Sequence, residues 1–184
     1  MFTKLLKYDK IKSEKQLKYA AQCSGTGINV KRVLVFSDTH GNFEKAISII
    51  NSTPNIDACI HCGDMLRDCH EIERAFPRLP FYYVCGNNDY TFDVPYDIDV
   101  TIGGNKILVT HGHRYRVKMG TSLLKQKFSE GYDIILYGHT HQTDSEWVAP
   151  NKLILNPGSL GYISSTYALL EIAGKGDFKF SFLN

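Results

Sequence analysis

The chain has 184 residues, enough for one domain with a substantial core. Hydrophobic residues make up 43% and charged residues 22%, the balance of an ordinary globular protein, and no apolar run approaches the roughly 20 residues that span a bilayer. The net charge of +2 is uneven. Residues 1–31 hold seven lysines against Asp9 and Glu14, a balance of +5 that leaves −3 for the rest and argues against a broad nucleic-acid-binding face.

The five cysteines, Cys23, Cys59, Cys62, Cys69 and Cys85, are odd in number, and the chain is too large to need disulfide staples. Reduced thiols and a cytoplasmic location are the expectation. The lysine-rich start lacks the apolar stretch of a secretory signal.

Residues 1–24 read as a lysine-rich amphipathic arm with loosely spaced apolar positions, and Ser24-Gly25-Thr26-Gly27 as a linker. The arm could touch an acidic partner or a membrane surface, but a terminal appendage is the simpler reading. The folded domain is predicted over 32–184. Residues 33–36 form a continuous apolar run, as in a strand covered on both faces. Phe43, Ala46, Ile47 and Ile50 then recur at helical spacing. Further strands are predicted at 58–60 and 81–84, with a short helix near 68–76. This βαβαβ order favours parallel pairing. Three hairpins follow, at 99–110 around Gly103-Gly104-Asn105, at 147–155 around Ala149-Pro150-Asn151-Lys152, and at 167–182 around Gly174-Lys175-Gly176. A helix is predicted over 121–129 and a strand over 133–137. Helical crossovers combined with hairpins imply mixed sheets.

Several apolar runs end in residues that bind metals. Asp38-Thr39-His40, Gly63-Asp64, Gly86-Asn87-Asn88-Asp89, Thr110-His111 and Gly138-His139-Thr140-His141 each follow a predicted strand. Oxygen and imidazole donors without thiolates suit hydrolysis better than a purely structural zinc site. Asp64, beside a glycine at a strand end, is placed to bridge two ions. Asp38 and His40, two apart in a turn, can face one ion, and His139 and His141 could serve two.

In that order these motifs resemble the calcineurin-like metallophosphoesterase family. The likeness runs from Arg32 to the C-terminus. Ser37-Asp38-Thr39-His40-Gly41, Thr110-His111-Gly112-His113 and Asn156-Pro157-Gly158-Ser159 bring it close to the small YfcE-type bacterial and archaeal phosphodiesterases. The resemblance implies an α/β fold, a two-layer mixed β-sandwich flanked by helices. It implies two divalent ions, manganese first, with nickel, zinc, iron or magnesium as alternatives. Asp38, His40, Asp64 and His141 would hold the first ion; Asp64, Asn87, His111 and His139 the second. It further implies hydrolysis of small-molecule phosphodiesters by a metal-bridging hydroxide, with Asp64, Asn87, His111 and His113 at the reacting centre. Homodimers are compatible with the likeness.

One position departs from the wider family, which usually has Gly-Asn-His-Asp where this chain has Asn88. An amide cannot act as a general acid near neutral pH. Good leaving groups, His113 or solvent would then be needed. Asp89 reads as a hydrogen-bonding support for a histidine or the turn backbone, and Arg114, from the Arg114, Arg116 and Lys118 cluster, as a ligand for a diester oxygen or a solvated charge. Tyr90, Phe92, Tyr115 and Tyr162 are candidate pocket aromatics. Cys59-Ile60-His61-Cys62 lacks a second thiolate pair, so a strand end is the better reading than a zinc site. The rival to an enzyme is a protein-binding scaffold on the same fold, similar to the small retromer subunit.

Overall fold

The computed structural model describes residues 29–91, 93–161 and 165–184. The readings of the arm, the linker, Cys23, Phe92 and Tyr162 lie outside the described residues. The first half is βαβαβ: β1 (Lys31–Phe36), α1 (Phe43–Ser52), β2 (Ala58–His61), α2 (Leu66–Ala75) and β3 (Phe81–Tyr83). The three strands pair in parallel, as the crossover helices require. Then come β4 (Asp97–Ile102), β5 (Asn105–Thr110), α3 (Ser122–Gln126), β6 (Ile134–Leu136), β7 (Thr143–Ala149), β8 (Lys152–Pro157), β9 (Tyr167–Gly174) and β10 (Asp177–Leu183). One sheet has the order β10-β9-β1-β2-β3 and the other β4-β5-β6-β8-β7. In the second sheet β5, β6 and β8 are parallel, and antiparallel β4 and β7 close its edges.

Period-two alternation sorts each central strand between two cores. Val33 and Val35 of β1 face the space between the sheets, with Ile60, Ile107, Val109, Ile134, Leu136, Leu153 and Leu155. Leu34 and Phe36 point outward to Ala46, Ile49 and Ile50 of α1 and Ile72 of α2. Leu108, Ile135 and Ile154 face outward on the other sheet, against Val117 and Leu124. Each large aliphatic side chain removed from water in this way stabilises the fold by roughly 1.5–3 kcal/mol. The continuous apolar runs in the sequence thus reflect strands buried on both faces.

Two boundaries differ from the sequence prediction by more than two residues. The helix expected over 121–129 stops at Gln126 and tightens into a 3-10 turn, Lys127–Glu130. There Lys127 and Glu130 pair at i,i+3, the spacing at which 3-10 side chains eclipse, and Gly131 at φ 89° ends the turn. Strand β7 begins at Thr143, four residues before Trp147, because its polar half lies exposed at a sheet edge.

Candidate metal centre

The loops leaving β1, β2, β3, β5 and β6 converge, for Asp38 after β1 accepts a hydrogen bond from the backbone of His139 after β6. Eight described non-glycine residues have positive φ, and five of them are Asp38, His40, Asp64, His139 and His141. A left-handed backbone costs an L-residue about 1–2 kcal/mol, and strain of this kind gathers at ligand-binding sites.

Donor atoms of Asp38, His40, Asp64 and His141 all lie within 4.8 Å of one another. His141 Nε2 is 3.0 Å from Asp38 Oδ1, and His40 Nε2 is 3.3 Å from His141 Nε2. Donors about 2.1 Å from a shared ion would stand roughly 3–3.5 Å apart, so the spacing fits. The two oxygens of Asp38 are used differently. Oδ2 accepts from Ser37 Oγ and from the His139 N–H, while Oδ1 is buried without a hydrogen bond. Such an orphaned oxygen, aimed into a cluster of imidazoles, fits a cation. Burial raises the pKa of Asp38 and lowers that of His141.

Asp64 also belongs to a second cluster. His111 Nε2 lies 3.4 Å from Asp64 Oδ1 and 3.1 Å from Asn87 Oδ1. His111 Nδ1 lies 2.9 Å from the Cys62 carbonyl, which assigns the ring proton to that nitrogen and leaves an Nε2 lone pair facing the amide oxygen. Two acceptors turned toward each other call for a cation between them. The His139 ring lies 4.9 Å from that of His111. Burial lowers the pKa of His111 and takes that of His139 down to about 4, so both imidazoles present lone pairs at neutral pH.

The loops that carry these donors are held by further polar residues. Asp89 grips the Met65 and Leu66 N–H groups with Oδ1 and the Gly86 N–H with Oδ2, stapling the β3 loop to the start of α2. All three of these bonds run to backbone N–H groups. Asp68, buried in the first turn of α2, accepts from Gly41 N–H at 2.7 Å and so holds the Asp38–His40 loop. Asn156 donates to the Gly138 carbonyl, and Ser159 Oγ donates to the Asp38 carbonyl at 2.7 Å. The Asn156-Pro157-Gly158-Ser159 phrase was the available signal. His61 is fully buried between Thr39 Oγ1 and the Gly63 N–H, and burial drives its pKa down to about 3. It braces two ligand loops as a neutral ring.

The remaining candidates scatter. His113 borders the centre, 5.4 Å from the His111 ring and 5.5 Å from Tyr96, and its Nδ1 is buried without a hydrogen bond. Asn88 donates its side-chain amide to Asp64 Oδ2 at 2.7 Å. Arg114 turns to the Tyr96 ring and lies 3.9 Å from Asp97 Oδ2, and Tyr115 donates to the same oxygen. Both are thus engaged by Asp97. Tyr90 is 96% exposed. Cys59 faces the helices and Cys62 the space between the sheets, so these two thiols cannot share an ion.

A sequence model of the calcineurin-like phosphoesterase superfamily domain matches residues 32–175. The chain is 39% identical to the probable metallophosphoesterase YsnB of Bacillus subtilis (strain 168) over 131 residues, 70% of this chain and 74% of that one. It is 33% identical to the phosphodiesterase MJ0936 of Methanocaldococcus jannaschii over 167 residues, 78% and 95% of the two chains. Its fold is similar to that of Vacuolar Protein Sorting 29 from Cryptosporidium parvum, with TM-score 0.66 and 20% identity over 84% of this chain and 97% of that one. The clustered donors on the strand-end loops, with the family match that spans them, identify the chain as a member of the calcineurin-like phosphoesterase superfamily, in the branch of small bacterial and archaeal metallophosphoesterases.

Proposed function

We propose that this protein is a phosphodiesterase working with two divalent ions, manganese foremost, and that residues 32–184 form its catalytic domain. The observation that carries the reading is the shared carboxylate: Asp64 belongs both to the Asp38, His40 and His141 cluster and to the contact with His111 and Asn87. His139 completes the second set. Ions held there would lower the pKa of water and neutralise phosphate oxygens. The chain's own part is orientation. Ser37 and the His139 N–H fix Asp38, Asn88 fixes Asp64, and the Cys62 carbonyl fixes the His111 ring. His113, whose ring lies 5.4 Å from that of His111, is a side chain able to exchange a proton with a leaving oxygen. The phosphodiesterase relative supports a diester as substrate.

A scaffold reading has one observation in its favour. Trp147 stacks on Phe178 at 5.5 Å, and Phe180 and Phe182 extend the aromatic row along β10, with Trp147 46% and Phe182 37% exposed. The preorganised donor set favours the enzyme. The test is hydrolysis of bis-p-nitrophenyl phosphate by metal-stripped protein after addition of manganese, nickel, zinc or magnesium. Turnover that exceeds that of the monoester, and is lost in Asp64→Asn and His139→Ala, is expected. No turnover with any metal, despite bound ions, would move the weight to the scaffold.

A further inference from the structure

Between β5 and α3 the chain makes a 3-10 turn, Val117–Met119, whose middle residue is Lys118. Its placement is dictated by packing. The Val117 N–H reaches back to the Gly112 carbonyl, and the Val117 side chain is buried. A Cβ built on Gly112 would come within 2.9 Å of Val117 and 3.4 Å of Tyr137. Gly112 follows His111, and Tyr137 precedes Gly138-His139. Val117 is therefore wedged between the two segments that carry His111 and His139, and Lys118 stands beside them. The turn is held at its far end too, where the Gly120 N–H bonds the Val117 carbonyl and Thr121 Oγ1 donates to Glu146.

Among the described residues, the neighbouring cations other than Arg116 have acidic partners. Arg114 lies near Asp97, Lys125 pairs with Glu146 and Lys127 with Glu130. Among the described residues Lys118 has no hydrogen bond or ion pair. An exposed ammonium whose backbone is fixed beside a cluster built for cations is open to an anionic ligand.

Resting on the phosphodiesterase reading, we infer that Lys118 is the substrate-positioning cation of this site, which draws in the anionic diester and holds a phosphate oxygen from the side of His139 and His141. The same proximity appears in the two histidines: burial is the main cause of their lowered pKa values, and the charge of Lys118 adds to it in both. The more obvious arginine, Arg114, is excluded from this part by its contacts with Tyr96 and Asp97. A lysine acts here as a point charge on a flexible stem, which tolerates varied diesters better than a rigid guanidinium fork.

The experiment compares the full chain, loaded with manganese, with Lys118→Gln, Lys118→Arg and Arg114→Gln. Lys118→Gln should raise KM for bis-p-nitrophenyl phosphate about tenfold and leave kcat within about twofold, while Lys118→Arg restores KM and Arg114→Gln leaves it unchanged. In parallel, calorimetric titration with inorganic phosphate should show about tenfold weaker binding to Lys118→Gln, a readout that needs no turnover. Unchanged KM and unchanged phosphate affinity in Lys118→Gln would overturn the assignment and leave the phosphodiesterase intact. Absence of turnover in the parent chain, with phosphate binding that still depends on Lys118, would sink the phosphodiesterase and keep the anion site. Failure of the metal-loaded parent chain to bind phosphate would sink the assignment of Lys118.

Discussion

Asn88 is the residue at which this chain parts from the wider superfamily, and its contacts explain what it does instead. Its amide donates to Asp64 Oδ2 at 2.7 Å and its backbone N–H to Asp64 Oδ1 at 3.1 Å. A carboxylate held at both oxygens keeps its aim, and such supports typically contribute 10–100-fold to metal affinity. Asn88→Ala should thus weaken manganese binding by about tenfold in a calorimetric titration. Because the residue is exposed, its truncation should shift unfolding by no more than about 0.5 kcal/mol. Unchanged affinity would show that Asp64 needs no such grip. The amide also lacks a proton to give near neutral pH. Aryl diesters should therefore react more slowly as the leaving-group pKa rises, with a steep slope that Asn88→His makes shallower. A flat dependence in the parent chain would assign the proton to a group already present, with His113 the first to test.

At the scale of elements, the site depends on how closely the strand-end loops approach. A Cβ at Gly86, after β3, would fall 1.8 Å from Asp64 Oδ1 and 2.4 Å from Asp64 N. One at Gly138, after β6, would fall 1.9 Å from Ser37 Oγ and 2.8 Å from Asp38 Oδ2. Either methyl must push a ligand loop away. Gly86→Ala should lower stability by about 1–3 kcal/mol and abolish metal-dependent turnover. Gly174→Ala, where nothing lies within 4 Å, is the control and should leave metal binding and turnover as they are. A fully active Gly86→Ala would show that the β3 loop moves freely. The same elements show how far the sequence could be read. The candidate donors were legible because each follows an apolar run, and the β4–β5 hairpin because Gly103-Gly104 supplies the two positive φ values of its turn. The adjacency of β5, β6 and β8 was not visible, for local patterns specify hairpins and leave the partners of different hairpins open. Nor were the parts played by Asp68, Asn156 and Ser159. A polar loop residue acquires a role only once its partner is placed, and Ser159 meets Asp38 across 121 positions.

The described domain, Lys31–Asn184, has polar clusters at two ends of an apolar core. One is the ligand cluster at the carboxyl ends of β1, β2, β5 and β6. The other lies where β6 begins, around Asp133, which is only 2% exposed. Asp133 accepts from the Lys106 N–H of β5 at 2.8 Å and pairs with Lys152 of β8 at 3.2 Å. It also pairs with Lys175 in the turn between β9 and β10, which belong to the other sheet. One carboxylate thus bolts the two sheets together at the end remote from the centre. Burial pushes its pKa up, but the bonds from Lys175, the Lys106 N–H and Lys152 outweigh burial and hold it below the ordinary 3.8. A depressed folded-state pKa gives stability that is complete above the unfolded value and lost as pH falls through the folded one. Asp133→Asn should therefore cost about 2 kcal/mol at pH 7, a Tm lower by roughly 4–8 °C, with metal affinity unchanged. The difference from the parent chain should hold down to about pH 4 and narrow below it as the parent carboxylate is protonated. Thermal melts from pH 7 to pH 3 decide the matter. A Tm gap that stays constant through this range would mean that the side chain acts by shape and hydrogen bonding alone, and that its charge does not join the sheets.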